Sequence, residues 1–456
     1  MDATSTRSVV VEPGGRQVVT HVGLHALGAF ADRLGLGDLL SECIPSKGQR
    51  APVHDRGKVL VQAMLMLAGG GEACSDIEHL GVEGNLFGQV PSDSTLQRTF
   101  ASVDPKTLGR LKEAFSKARA KVWARSCVTK PTPPVVLDID ASLVEIHSEG
   151  KEGSARTYKG GFGFYPMFCF ADGTGEALSS MLRPGNAGSN TIADHLLVLD
   201  EAIAQLPDRL AAGHRLGDGE SMVSLPIVAR ADSAGCTLGF VEGCRARRVG
   251  FCVAARSCDQ VYRAISKIVD DKDRWAPAIC QDGSLREGSE VAEVTDLVSL
   301  NKWPSNTRLI IRREPLHPGA QQSLFPSESY RYWGHYTDQA GSPVQADVFM
   351  RAHAHVEDHI CRLKDSGLLR FPFANLEANR AWLAQVCFAA DLVRWFQLLC
   401  LSGALATSEP KALRWRVWHA PARVVHRARR TIVRVLQGWP DADAIITAYR
   451  RIALIA

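Results

Sequence analysis

Apolar residues recur at three- and four-residue spacing in GLHALGAFADRLGL and in KVLVQAMLMLA, so residues 20–115 predict a helical region. After a turn-rich piece, PSDSTLQRTFASV offers Ser92 or Asp93 as an N-cap. Leu96 and Phe100 then face inward four residues apart, with Gln97 and Arg98 outward. Two helices followed by a short polar helix suit a helix-turn-helix and an ordinary surface helix equally, and the spacing does not choose between them. Three prolines between Thr129 and Pro134 mark a boundary.

Beyond it the period changes from helical to alternating. PVVLDIDASLVEIH, TYKGGFGFYPMFCFAD and GEALSSMLRPGN predict three consecutive strands joined by tight turns. An amphipathic helix over 190–205 follows, then the strand LPIVARAD, a helix over 234–245 and the strand VGFCVAAR. That order predicts an α/β fold with a mixed sheet of the ribonuclease H-like kind. Residues 258–344 hold EVAEVTDLV, TRLIIRREP and SYRYWGHYTD between turns and prolines, a β-rich insertion. Helical periodicity returns in QADVFMRAHAHVEDHICRLKDSG and over 375–400, and a basic, helical tail closes the chain. The domain reading is therefore 1–130, a helical region; 131–257, the first part of the core; 258–344, the insertion; 345–402, the second part of the core; and 403–456, the tail.

Composition narrows the class. With 45% hydrophobic and 22% charged residues, the 456-residue chain reads as ordinary globular protein. Lys and Arg number 53 against 49 Asp and Glu, a net charge of +4, so bulk charge alone does not argue for nucleic acid. The start lacks the apolar core of a signal peptide, and Asp391 and Arg394 interrupt the most apolar late stretch, which reads as a buried helix with no membrane span. None of the 12 cysteines forms a CxxC pair, which argues against zinc and for free thiols in the cytoplasm. KGGFGF lacks the ending of a phosphate-binding loop and reads as a β-turn.

The chemistry-bearing positions are acids. Asp138 and Asp140 lie two apart on the first predicted strand, so both project from one face among apolar neighbours. Asp232 ends the fourth strand, where ligand groups gather in α/β sheets. Glu357 sits mid-way along the helix after the insertion. Carboxylates converging from two strands and a helix suit hard divalent cations, which prefer oxygen ligands. A lone strand aspartate is ordinarily structural; the order Asp, Asp, Glu is what gives the set meaning.

Several motifs in matching order then resemble the transposases of insertion-sequence family 1380, whose catalytic domain is the group 1 DDE transposase domain. They are SDSTLQRTF, VVLDIDASLVEIH, GGFGFYPMFCF, GEALSSMLRPGNAGSN, ARADSAG, FANLEANRAWLAQVCFAADLVRW and RWRVWHAPARVVHRARR. The resemblance implies a ribonuclease H-like fold with Asp140, Asp232 and Glu357 as catalytic and metal-binding residues, holding two Mg2+ ions for which Mn2+ substitutes. Asp140 is preferred because the family's first aspartate precedes a small or hydroxyl pair, here Ala141 and Ser142, and Asp138 stays as the alternative ligand. Relatives carry a Tyr, Arg, Glu, Lys signature on the last catalytic helix. Counted from Glu357, Lys364 matches, while Met350 and His353 stand at the Tyr and Arg positions. On one continuous helix the four share a face, which makes Lys364, and His353 when protonated, phosphate contacts.

Arg98 in the N-terminal region and Arg423, Arg427 and Arg430 in the acid-free stretch from Lys411 to Arg434 complete the expected DNA-binding set. Trp275, Trp303 and Trp333 of the insertion read as core residues, although similar transposases stack one such aromatic on a flipped base. The expected function is a DNA transposase that binds terminal inverted repeats, cleaves the element ends and joins 3′ ends to target DNA. It is expected to act as a homodimer in the synaptic complex, on the bacterial nucleoid. A catalytically inactive DNA-binding derivative and another ribonuclease H-like nuclease are the rivals.

Overall fold

The structure is a computed structural model that describes residues 18–44, 53–82, 84–126, 135–218, 223, 226–316, 330–427 and 430–455. The Thr129–Pro134 boundary lies outside the described residues.

The N-terminal region is helical, as its periodicity predicts: α1 (Val22–Arg33), α2 (Leu36–Ser41), α3 (Arg56–Gly69), α4 (Asp93–Ala101) and α5 (Pro105–Arg125). Side-chain caps fix the starts. Asp55 accepts from the Lys58 amide, Ser92 from Thr95 and Asp104 from Thr107, each worth about 1 kcal/mol. Of the two N-cap candidates in PSDSTLQRTF, Ser92 takes the role. Leu96 and Phe100 are buried as expected, and Phe100 packs against Trp382 at 5.5 Å between ring centres. Arg98 is exposed on the outer face of α4.

The core is a nine-stranded sheet. Its strands in chain order are β1 (Val135–Ala141), β2 (Met167–Ala171), β3 (Glu176–Met181), β4 (Ile227–Ala231), β5 (Gly250–Ala254), β6 (Ala276–Ile279), β7 (Leu285–Glu293), β8 (Arg308–Pro315) and β9 (Tyr330–Thr337). Their spatial order is β6-β7-β8-β9-β5-β4-β1-β2-β3. β1 runs parallel to β4, and β4 to β5; every other neighbour is antiparallel. A mixed α/β sheet is thus as expected, and the first five strands fall where their alternation places them. The TYKGGFGFYPMFCFAD segment is divided: Phe162–Phe164 joins a separate small sheet with Val144–Ile146 and Ala155–Arg156, and only Met167–Ala171 enters the main one.

The β-rich insertion does not stand apart. β9 pairs with β5, so β6–β9 lengthen the core sheet, preceded by a helix, α8 (Asp259–Ile268). Period alone cannot reveal this, because an edge strand and an inserted strand alternate in the same way.

Helices cover both faces. Adjacent residues of β2 point to opposite sides, and a bulge between Ala177 and Ser179 breaks the alternation of β3. Ser179 bonds to Val198 of α6 (Ile192–Gln205), which also packs on α7 (Leu238–Ala246). Glu176 bonds to Trp395 of α11 (Leu376–Cys400) at 2.6 Å. α11 is long and apolar enough to cross a membrane by length and composition, and 78% of its most apolar window is buried within this protein. It is the core helix that the sequence predicts.

Two helical expectations fail. The segment from Gln345 is not one helix. It is α9 (Pro343–Arg351), a 3-10 turn at Ala352–Ala354, α10 (His355–Leu363) and a wide turn at Lys364–Leu368, where Ser366 and Gly367 leave helical geometry. The basic tail is not helical throughout either. Ala422–Arg427 and Arg430–Val435 form a β-hairpin that pairs with Val18–Val19, between a short helical stretch over 410–418 and the helix α12 (Ala442–Ala453). The run VVHRARRTIVRV alternates with β-branched residues, and that period prevails over its charge.

Among the described residues, the first helix and the C-terminal helix pack together. Tyr449 donates to the Val22 carbonyl at 3.0 Å. A Cβ on Gly23 would lie 2.0 Å from the Val417 carbonyl oxygen, so only glycine permits that approach.

Candidate active site

β1 and β4 are parallel neighbours in a register that sets Asp138 opposite Arg230. Side chains two residues apart share a strand face, so Asp140 stands beyond Asp138 and Asp232 beyond Arg230, at the carboxyl edge of the two strands. α10 lies over this face: His359 stacks at 5.3 Å on Phe170, the β2 partner of Asp138. The 3-10 turn and the first turn of α10 bring His353 and, one helical turn later, Glu357 to the same place. The result is two tiers, each drawn from two strands and one helical segment.

The inner tier is buried and paired. Asp138 is fully buried and accepts a two-pronged ion pair from Arg230, with Nε 2.7 Å from Oδ1 and Nη2 on Oδ2. His353 Nδ1 lies 2.8 Å from the same Oδ1. Arg230 also reaches the Phe349 carbonyl at 2.6 Å and Asp172 at 3.1 Å, and Asp172 holds His355 at 2.9 Å. Burial opposes the charge on Asp138, but the Arg230 and His353 bonds overcome it and hold its carboxyl below the usual range. An acid so engaged has three of its roughly four lone-pair directions occupied. Asp138, the alternative first ligand, is a structural ion-pair partner in this arrangement.

The outer tier is open and electrostatically strained. Asp140 accepts the Ala141 amide at 2.7 Å, and Asp232 accepts the Ala234 amide at 2.8 Å in a tight turn after β4. Glu357 is exposed on the first turn of α10. The Asp140 carboxyl is pushed up to about 6, first by burial and then by the negative charges of Asp232 and Glu357, against the Ala141 amide and His353. Three carboxylates from three elements therefore share one field. Among the described residues, no group of three or more His, Cys, Asp or Glu side chains closes around a common point. The donor set nonetheless fits a hard divalent cation: it is all oxygen, and a cation between the groups relieves the repulsion that raises Asp140.

The expected phosphate contacts divide. Lys364 ends α10 half-buried, with no ion-pair partner among the described residues. His353 turns inward onto Asp138, and its side chain is only 14% exposed. Met350 faces Cys252, with the sulfurs 3.5 Å apart. The 3-10 turn breaks the shared helical face that linked these residues in sequence. Arg98 and Arg423 are both exposed on the surface, while the side chains of Arg427 and Arg430 lie outside the described residues. Trp275 is buried, Trp303 stacks on Tyr336 at 4.1 Å, and Trp333 is 39% exposed with Arg312 at 4.7 Å over its ring.

Sequence reasoning missed Arg230, Asp172, His355 and Tyr165. Arg230 had a signal: a charged residue two before Asp232 on an apolar strand, mirroring Asp138 two before Asp140. Tyr165 had none. Burial, and then the charges of Asp140 and Asp232, raise its hydroxyl, which places it beside the outer tier.

A family profile described as "Transposase DDE domain group 1" matches residues 1–456. No curated protein sequence matches the chain. Among solved structures, a piggyBac transposase synaptic complex with hairpin DNA is similar over 87% of this chain and 80% of that one, at 9% identity and a TM-score of 0.45, too distant a likeness to bear on mechanism. With the whole chain matched, the protein belongs to the group 1 DDE transposase family.

Proposed function

We propose that this transposase acts as a DNA nuclease and strand transferase, with Asp140, Asp232 and Glu357 as its catalytic carboxylates in a ribonuclease H-like core. The observation that carries the reading is the outer tier: acids from β1, the end of β4 and α10, in which burial and the charges of Asp232 and Glu357 push the Asp140 carboxyl up to about 6. Asp140, Asp232 and Glu357 would hold two Mg2+ or Mn2+ ions, which when bound would supply Lewis-acid stabilisation for displacement at phosphorus. The protein's part is placement. Asp140 and Asp232 present oxygens from a rigid sheet edge, Glu357 closes from the helix above, and Lys364 on the same helix holds a neighbouring phosphate.

The substrate is DNA, first the terminal inverted repeats of an insertion sequence of family 1380 and then target DNA. Arg98 reads the ends from the N-terminal region, and Arg423 with Arg427 and Arg430 grips the backbone. In the hairpin register Arg423 stands opposite Arg434, and Arg427 opposite Arg430. Opposed like charges cost stability in a sheet, and a polyanion lying across them removes that cost. Two ends held in one synapse require at least a homodimer, working on the bacterial nucleoid.

The test is magnesium-dependent cleavage of DNA carrying the element's ends. Asp140→Asn, Asp232→Asn and Glu357→Gln are each expected to lose cleavage by more than about 100-fold while retaining end binding, since an amide is a poor ligand for a hard cation. Wild-type-like cleavage by any one removes that residue from the site. A folded wild-type protein that binds ends and never cuts them favours the inactive derivative.

A further inference from the structure

The inner tier has a use of its own. Each member of the outer tier has an inner-tier residue close by on its own segment: Asp138 two before Asp140, Arg230 two before Asp232, His353 four before Glu357. Asp138 joins the other two, accepting from Arg230 and from His353. Arg230 and Asp138 are 1% and 0% exposed, and the bonds among the three run from β1 to β4 and from β1 to the turn before α10. Arg230 further secures the end of α9 through the Phe349 carbonyl and stacks on its ring at 5.1 Å. The sheet already fixes β1 against β4. Among the described residues, α10 has no backbone pairing to the sheet; His359 packs against Phe170, His355 bonds to Asp172, and the α10 segment enters through a 3-10 turn and leaves through a non-helical one at Ser366 and Gly367.

We propose that Arg230, Asp138 and His353 form a clamp that sets the distance of Glu357 from Asp140 and Asp232. They are positioning residues for the outer-tier carboxylates. The bond from His353 to Asp138 is the direct link from the cluster to the turn, one helical turn before Glu357; Arg230 reaches the same segment on either side, at the Phe349 carbonyl and, through Asp172, at His355. The proposal rests on the outer tier being a cation site. It assigns His353 a task inside the protein in place of the phosphate contact expected for that position. A carboxylate that accepts two partners with fixed geometry is a suitable anchor: the Arg230 fork orients Asp138, and the oriented Oδ1 then fixes the imidazole. Partners that orient metal-holding groups typically change metal affinity or activity by ~10–100-fold when removed.

The test measures Mn2+ binding to the full chain without DNA, by electron paramagnetic resonance of the free ion, alongside end binding in EDTA and thermal unfolding. His353→Ala is expected to weaken Mn2+ binding by ~10–100-fold, with end binding in EDTA unchanged. His353→Asn keeps a side-chain N–H for Asp138 and is expected to recover most of the affinity. Mn2+ affinity of His353→Ala within about twofold of wild type overturns the proposal, and so does His353→Asn binding as weakly as His353→Ala. If His353→Ala does not fold, Arg230→Lys decides. It keeps the charge but loses the fork, so weakened Mn2+ binding supports the clamp and unchanged binding refutes it. Asp140→Asn separates the two ideas. It is expected to lose Mn2+ binding under either, and wild-type binding by that variant removes the cation site itself and the clamp with it.

Discussion

Two aspartates a dipeptide apart on one strand face have opposite characters here, and the difference lies in what each meets. Asp138 meets Arg230 and His353 and is held ionised; Asp140 is pushed toward its neutral form by burial and by the charges of Asp232 and Glu357. This gives stability predictions of opposite sign. Asp138→Asn leaves the buried Arg230 guanidinium with only Asp172 as a carboxylate partner, and is expected to destabilise the fold by ~3–5 kcal/mol. Asp140→Asn removes a charge whose folded-state carboxyl, at about 6, lies above its ordinary 3.8. Stability from such a group is present below the ordinary value and is lost as pH rises through the folded one. Thermal melts at pH 8 should show Asp140→Asn at or above wild type, with the difference vanishing near pH 4. An Asp140→Asn protein that melts well below wild type at pH 8 contradicts the repulsion ascribed to the outer tier. The sequence made both acids visible and placed them on one face, but it did not tell them apart. That distinction depends on Arg230, a neighbour on a strand more than ninety positions away in the chain.

At the scale of elements, alternation was readable where strands are long and β-branched, and helices where an apolar stripe persists. The failures share a cause. The segment from Gln345 keeps a helical pattern across a break, because Ala352–Ala354 carries no proline or glycine to announce the 3-10 turn. The hairpin at Ala422–Val435 was hidden by its arginines, which drew attention to charge and away from period. The buried polar network under α11 was equally invisible. Arg119 of α5 lies between Glu176 of β3 and Asp391 of α11, all three buried, and Glu176 also accepts the indole N–H groups of Trp123 and Trp395. One guanidinium cannot neutralise two carboxylates. Glu176 accepts from three donors, and burial pushes Asp391 up to about 7 against its bond to Arg119. A carboxyl raised in the folded state contributes stability below its ordinary value near 3.8 and loses it as pH rises to about 7. Wild-type stability should therefore decline between pH 4 and 7 by an amount that Asp391→Asn abolishes. Parallel stability–pH curves for the two proteins over that range would show that Asp391 is ionised when folded.

At the scale of the whole molecule, the two ends of the chain form one layer. Val18–Val19 pairs with Arg423 and Ala422, Trp418 is fully buried, and Arg33 reaches the Ala453 carbonyl at 2.9 Å. Gly23→Ala is expected to loosen both ends at once, because its methyl group meets the Val417 backbone. Proteolysis that opens residues near Val22 without opening those near Trp418 would show the ends to be independent. Removing the tail is consequently a poor probe of DNA binding, and charge removal is the better one. Arg423→Ala with Arg434→Ala should lower the slope of log affinity against log salt by about 2, at ~0.9 for each phosphate no longer neutralised. An unchanged slope would make the hairpin structural only. That the ends meet was not legible in the sequence, since no local pattern records a partner four hundred positions distant.

The central claim is that Asp140, Asp232 and Glu357 hold the divalent cations that cut DNA, and a ligand swap tests it most directly. Asp232→Cys replaces a hard oxygen with a softer sulfur at the edge of β4, leaving the inner tier and the DNA-binding surfaces untouched. Cleavage of element ends by this variant should be lost in Mg2+ and partly regained in Mn2+, which tolerates sulfur better, while Asp232→Ala stays inactive in both. Full cleavage by Asp232→Cys in Mg2+, or the same recovery in Mn2+ by Asp232→Ala, would contradict metal binding at Asp232.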